Sequence, residues 1–215
     1  MESNFPPLIL LAGGKSERMG KPKGLLRYRE TYWLEEQISR FQKLGGKQVI
    51  IGLGYRAKAY FRAIPPLEEA LVNGVRYLNI TIRSVVNPQP EFGKFSTLQV
   101  CLKLFLQEQG ANSTFVLPID VPVCSKTVWM NLFKALSKDV EAVTPTYRNR
   151  GGHPVLLTRV FCQQLAKLPK SSRLDFELKS LARRKVVAVN DPVSVLNLNT
   201  PKKWKDFNVS QGNSS

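Results

Sequence analysis

Residues 8–26 read Leu8-Ile9-Leu10-Leu11-Ala12-Gly13-Gly14-Lys15-Ser16-Glu17-Arg18-Met19-Gly20-Lys21-Pro22-Lys23-Gly24-Leu25-Leu26, and the fold turns on this stretch. Leu8 to Ala12 is a short, continuous apolar run that stops at two glycines. A strand buried on both faces has this pattern, and such strands belong to parallel sheets. The loop behind it therefore sits at a strand's carboxyl end, where open α/β sheets bind ligands. Gly13, Gly14 and Gly20 let backbone approach a ligand closely, and Lys15, Arg18, Lys21 and Lys23 face one acid, Glu17. Backbone N–H groups and several fixed cations together suit a triphosphate.

Two other phosphate motifs fail on inspection. Gly14-Lys15-Ser16 matches the end of GxxxxGK[ST], but its first glycine would have to stand at Ile9. Gly52-Leu53-Gly54-Tyr55-Arg56-Ala57 fits the dinucleotide pattern GxGxx[GA]. The acid expected about twenty residues on is missing around Tyr77.

Outward from the loop, strands alternate with helices. Leu34, Ile38, Phe41 and Leu44 recur at helical spacing before Gly45, and Gln48 to Ile51 is a second buried strand. Ala57 to Ile64 predicts a helix closed by Pro65-Pro66, and Val75 to Val86 a strand ended by Asn87-Pro88. Leu98 to Leu106 is amphipathic, and Thr114 to Leu117 is a strand running into Pro118-Ile119-Asp120. Ser125 starts a helix carrying Val128, Trp129, Leu132 and Leu136. Later strand candidates are Glu141 to Thr144, Pro154 to Leu157, Lys185 to Val189 and Val195 to Leu198. Thr200-Pro201 predicts an N-cap and a proline in the first turn of a last helix. The alternation predicts a three-layer α/β architecture, a mostly parallel sheet with helices on both faces. One domain over residues 1–208 and a flexible C-terminal tail over 209–215 complete the expectation.

Composition narrows the function classes. The 215 residues suit one domain, and 43% hydrophobic residues supply a core. A formal charge of +16 attracts phosphate-rich partners, which include nucleotides and nucleic acid. The sequence shows no RNP-like aromatic motif and no zinc finger, so nucleic acid is the less favoured partner. Apolar runs are too short for a membrane span, and Met1 to Pro7 lacks the pattern of a secretory signal. Cys101, Cys124 and Cys162 lie too far apart for a zinc site and read as buried free thiols, consistent with a cytoplasmic location.

Residues 11–26 closely resemble LAGGxSxRMGxxK, the opening motif of the molybdenum cofactor guanylyltransferases and their cytidylyltransferase relatives. Asn87 to Gln99 resembles their NPxPxxGxxSSLQ segment, and Leu117-Pro118-Ile119-Asp120-Val121-Pro122 their LPxDxP. Gly152-His153-Pro154-Val155-Leu156, preceded by Gly151, is similar to RGHPVL, and Asn197-Leu198-Asn199-Thr200-Pro201 to the closing NxNTP or DxDTP. The five motifs follow the family's order over Leu8 to Trp204.

The resemblance implies a Rossmann-like nucleotidyltransferase fold and transfer of a nucleoside monophosphate from a nucleoside triphosphate to a phosphorylated acceptor. Pyrophosphate leaves, and Mg2+ is the cofactor. It implies that Lys23 stabilises charge on the α-phosphate and that Arg18 binds the outer phosphates. Leu11, Ala12, Gly13 and Gly14 line the nucleotide, and Asn87 contacts its ribose or base. A carboxylate at a strand's end suits magnesium, which makes Asp120 the metal ligand, with Asn199 where many relatives carry a second aspartate. His153, with Arg150 nearby, falls to the acceptor site. Gly13-Gly14 and Asn-Thr-Pro resemble the guanylyl branch; Pro22-Lys23 and Gly-His-Pro-Val resemble the cytidylyl branch. GTP is the preferred donor, with CTP the alternative, and molybdopterin is the expected acceptor, with a sugar phosphate left open. A monomer is favoured. The readings of another class are a nucleic-acid-binding protein, which the charge of +16 would suit, and a non-catalytic nucleotide-binding protein, kept alive by Asn199.

Overall fold

The computed structural model describes residues 5–212. Its strands are β1 (Leu8–Leu11), β2 (Arg27–Tyr28), β3 (Thr31–Tyr32), β4 (Gln48–Leu53), β5 (Val75–Tyr77), β6 (Ile80–Val86), β7 (Ser113–Pro118), β8 (Ala142–Tyr147), β9 (Arg150–Gly151), β10 (Val155–Thr158) and β11 (Arg184–Ala188). The helices are α1 (Trp33–Lys43), α2 (Ala57–Ala63), α3 (Pro66–Glu69), α4 (Lys94–Gln107), α5 (Lys126–Lys134), α6 (Arg159–Leu165), α7 (Leu174–Ser180) and α8 (Pro201–Gly212).

One large sheet has the order β11-β8-β10-β7-β1-β4-β6-β5, with β9 paired to β8, and β2-β3 forms a separate ribbon. Neighbours β7, β1, β4 and β6 are parallel, whereas β10 is antiparallel to both β7 and β8. Side chains alternate across the sheet, so each strand feeds two cores. Leu8, Leu10, Val49, Ile51, Phe115 and Leu117 point into one, closed by α1 and α5 through Trp33, Ile38, Phe41 and Trp129. Ile9, Leu11, Ile50 and Val116 point into the other, against Leu98, Cys101, Leu102 and Phe105 of α4 and Phe161 of α6. The mostly parallel three-layer sandwich expected from the sequence is the observed fold.

Strand order reverses at β1. The chain moves from β1 to β4 and β6 on one side, then returns to β7 on the other. A crevice opens at such a reversal, beyond the carboxyl ends of the two strands flanking it. Here those ends are Leu11 and Pro118, which face each other in register. The glycine loop and Asp120 follow one residue later, after Ala12 and Ile119.

Several elements differ from the sequence expectation. Val75 to Val86 is a hairpin, turned at Leu78 and Asn79, whose φ values are 49° and 60°. Val195 to Leu198 forms no strand; residues Pro192–Val195 make a 3-10 turn held by the Asp191 side chain, which accepts from the Val193 N–H. Residues from Val209 to Gly212 continue α8, anchored by Phe207 in the core; the rest of the expected tail lies outside the described residues, as do Met1 to Asn4. Thr200 does cap α8, accepting from the Lys203 N–H at 3.3 Å. The cysteines at 101, 124 and 162 are free and buried.

Candidate active site

The loop after β1 is built on close backbone approach. A Cβ on Gly13 would lie 2.9 Å from Thr97 Oγ1 and 3.2 Å from the Gly54 nitrogen. A Cβ on Gly54 would lie 2.7 Å from the Gly13 carbonyl oxygen, and one on Gly52 2.6 Å from Cys101 Sγ. The second glycine pair, which mimicked a dinucleotide motif, thus lets β4 and α4 close against the first loop. The Ala12 N–H donates to Gly52 O at 2.8 Å, and the Tyr55 N–H to Gly13 O at 3.2 Å. Ser16 and Gly20 bracket a 3-10 turn in left-handed geometry, φ 56° and 68°. Ser16 Oγ accepts from the Lys23 N–H at 3.2 Å and folds the loop back on itself. Next to Lys23, the Gly24 N–H donates to Tyr60 Oη at 3.2 Å, deep in the core.

Asp120 is held from every side through its neighbours' backbone. The Ile119 N–H continues the β1 ladder to Leu11 O at 3.0 Å. From α1, Trp33 Nε1 donates to Ile119 O at 2.8 Å and Gln37 Nε2 to Val121 O at 2.7 Å. Gln37 Oε1 in turn accepts from the Val123 N–H at 3.0 Å. The Leu198 N–H donates to Asp120 O at 2.7 Å, which seats Asn199 beside the carboxylate. Motifs 97 and 79 residues from Asp120 in sequence thus converge on one spot.

The result is a compact charged cluster. Lys23 Nζ lies 3.2 Å and Lys94 Nζ 3.3 Å from the same Asp120 oxygen, Oδ2. Lys23 Nζ also donates to Asn199 Oδ1. Asp120 Oδ1 is buried with no hydrogen-bond partner in the protein. Burial pushes the Asp120 carboxyl up, but Lys94 and Lys23 outweigh it and hold the group below its ordinary value. Burial lowers the Lys23 ammonium, opposed by Asp120 and reinforced by Lys94 and Arg18. Asp120 is therefore an anion near neutrality, with one oxygen committed and one free to take a ligand.

Two cavities meet at this cluster. One, of about 490 Å³, is lined by Gly13, Gly14, Arg18, Lys23, Thr97 and Asp120, with Leu11 and Asn199 at its wall. The other, of about 670 Å³, has an apolar floor of Phe95, Leu98, Val155 and Leu178 and a rim bearing Arg173, Lys179 and Arg184. Leu11, Gly93 and Lys94 line both.

Most of the residues singled out in the sequence come together here: Leu11, Gly13, Gly14, Arg18, Lys23, Asp120 and Asn199 surround the smaller cavity, with Ala12 buried behind it. His153 lines the larger one. Its ring is in part open to that cavity while Nδ1 is buried and unpartnered; burial lowers its pKa to about 4, so it is neutral at pH 7. Asn87 is buried and lines neither cavity. It donates to Ser96 Oγ at 2.8 Å and Thr97 Oγ1 at 3.0 Å, and accepts from the Gln89 N–H at 3.0 Å. It braces the start of α4, and a ribose or base contact finds no support. Arg150 is exposed on β9 and lines neither cavity, although its neighbour Gly151 does. Lys94 was missed, although it stands in the Asn87–Gln99 motif. Its signal was a cation directly after a glycine and at the start of a helix.

Comparison with known proteins agrees with the fold. A family model described as MobA-like NTP transferase domain matches residues 8–188. A probable molybdenum cofactor guanylyltransferase of Bacillus velezensis is 25% identical over 142 residues, 66% of this chain and 61% of that protein. The match thus spans less than two thirds of that relative's length. Among solved structures, Rv0371c of Mycobacterium tuberculosis H37Rv superposes with a TM-score of 0.74 at 22% identity, covering 96% of this chain and 99% of that one. Molybdopterin-guanine dinucleotide biosynthesis protein A of Archaeoglobus fulgidus gives 0.66 at 18% identity, covering 96% and 99%. No helix among the described residues is long and apolar enough to cross a membrane.

Proposed function

The chain belongs to the MobA-like NTP transferase family, and from that premise we propose that it transfers a nucleoside monophosphate, GMP by preference, from its triphosphate to a molybdopterin-type phosphate acceptor. The observation that carries the proposal is the Lys23–Asp120 pair, 3.2 Å apart in the smaller cavity, linked to the larger by Lys94, which lines both and lies 3.3 Å from the same Asp120 oxygen. The smaller cavity has the glycine backbone and cations that a triphosphate needs. The larger offers an apolar floor for a ring system and cations for an anionic group.

Nucleotidyl transfer joins two anions, so positioning and charge neutralisation dominate its catalysis. Lys23, fixed by Asp120 and Asn199, would meet the charge that develops at the α-phosphate. Arg18, exposed at the cavity's mouth, would take the outer phosphates and the departing pyrophosphate. The residues present fit magnesium. That ion favours one or two carboxylates and fills its shell with waters and phosphate oxygens. Asp120 supplies an ionised carboxylate with an unpartnered oxygen, and Asn199 a neutral oxygen beside it. No group of three or more His, Cys, Asp or Glu among the described residues competes as a denser metal site. Bound at Asp120, magnesium would neutralise polyphosphate charge and orient the leaving group.

The donor choice rests on the guanylyltransferase relative and on the Gly13-Gly14 and Asn-Thr-Pro motifs. A thermal-shift panel of GTP, CTP, ATP and UTP with magnesium tests it, since a ligand stabilises the folded state that binds it. GTP should raise the midpoint most. A larger shift with CTP would move the assignment to cytidylyl transfer. With molybdopterin added, labelled GTP should release pyrophosphate; no release with any nucleotide would refute the enzymatic reading.

A further inference from the structure

Lys94 stands between the two cavities. It opens α4, and Gly93 before it has φ 90° and ψ −162°, a conformation that L side chains rarely adopt. A cation at a helix N-terminus opposes the helix dipole, where an acid would be stabilising. The side chain is 67% exposed, so solvent screens its pairing with Asp120, whose buried carboxylate it nonetheless helps to keep ionised. Yet that side chain crosses open space to the one buried carboxylate of the site. Among the cations lining the two cavities, it alone lines both: Lys15, Arg18 and Lys23 face the smaller, Arg173, Lys179 and Arg184 the larger. Lys23, only 15% exposed, is tethered to both Asp120 and Asn199; Lys94 has an exposed stem and can swing between cavities.

We propose that Lys94 is a second catalytic lysine, which holds the acceptor's attacking phosphate against the nucleotide's α-phosphate at the junction of the cavities. The inference rests on the transfer reading above, in which the nucleophile is an oxygen of a phosphate monoester, and adds the side chain that holds that nucleophile. That oxygen forms a bond to the α-phosphorus. The bond from the α-phosphorus to the oxygen bridging to the β-phosphate breaks, and pyrophosphate leaves with the electron pair. No proton has to move. Two phosphates brought to bonding distance repel each other, and one ammonium touching both offsets that repulsion. Asp120 holds Lys94 in place until a phosphate offers a second anionic partner.

The test compares wild type, Lys94→Met, which keeps the apolar stem, and Lys94→Arg, with GTP, magnesium and molybdopterin. Losing one charge-assisted contact should lower kcat/KM for molybdopterin about 10- to 150-fold in Lys94→Met. The KM for GTP should move by less than about threefold, because Lys23 and Arg18 remain. Lys94→Arg should recover part of the loss. Equilibrium binding of molybdopterin, read by pterin fluorescence, should weaken in Lys94→Met, with the circular dichroism spectrum unchanged. Wild-type transfer with an unaltered acceptor kcat/KM in Lys94→Met overturns the role of Lys94 alone. A loss confined to the GTP terms also overturns it. Absence of transfer in the wild type overturns both this inference and the functional reading beneath it.

Discussion

Gln37 tests how the site is built. It lies on α1, is fully buried, and spends both ends of its amide on the chain around Asp120: Nε2 to Val121 O at 2.7 Å, and Oε1 from the Val123 N–H at 3.0 Å. Gln37→Leu keeps the volume and removes both bonds. Val121 and Val123 are themselves buried, so one carbonyl and one N–H lose their partners. Each of the two orphaned groups costs about 1–3 kcal/mol, and the added apolar burial returns about 1–2, leaving a net loss centred on about 2.5 kcal/mol (range about 0–5). Urea unfolding should show that loss as a lower midpoint at unchanged slope. Trp33 still holds Ile119, so the segment should shift rather than melt. A shift near 1 Å at Asp120 costs on the order of 100-fold in turnover. A variant within about 0.5 kcal/mol of wild type would refute the claim that α1 pins this segment. Full turnover despite the lost stability would refute the claim that the pinning positions Asp120.

Other expectations concern the same site. Gly13→Ala must push against Thr97 and the Gly54 backbone and should cost about 1–3 kcal/mol, with weaker nucleotide binding; Gly14→Ala, which meets nothing within 4 Å, should be near neutral in stability by the same urea titration. His153 has its folded pKa lowered to about 4, so the unfolded chain binds the extra proton between that value and about 6.5. Stability should be full above about 6.5 and fall toward pH 4 by about 2 kcal/mol, reduced from about 3 because part of the ring meets the cavity; His153→Gln should flatten that slope in pH-dependent unfolding. Asp120, whose folded pKa is depressed, should contribute stability above its unfolded value of about 3.9 and lose it only below; because its charge also raises the His153 pKa, Asp120→Asn should leave the fall in stability toward about pH 4 at least as steep as in wild type.

The fold was legible where burial writes itself into sequence. Leu8 to Ala12, Gln48 to Ile51 and Thr114 to Leu117 read as buried strands because the central parallel strands are covered on both faces. The β5–β6 hairpin was not legible: its turn uses Leu78-Asn79, and leucine at positive φ carries no turn signature. Val195 to Leu198 looked like a strand because apolar side chains also pack from irregular segments, as Leu198 does beside Asp120. The site was legible wherever a motif supplies the contact itself, as at Gly13, Lys23 and Asp120. That Asn87 and Arg150 line neither cavity was not legible, because a motif records that a residue matters and not which way it faces. Lys94 escaped notice because its partner stands 26 residues away and only the β1–β7 crevice brings them together.

The central claim is that an ionised Asp120, gripped by Lys23 in the smaller cavity and by Lys94 where the two cavities meet, is the carboxylate on which transfer depends. Pyrophosphate release from labelled GTP, with magnesium and molybdopterin, measured for wild type and Asp120→Asn, tests it most directly. Turnover should fall by about a thousandfold or more in the variant, with its circular dichroism spectrum unchanged. Turnover within about threefold of wild type would contradict the claim.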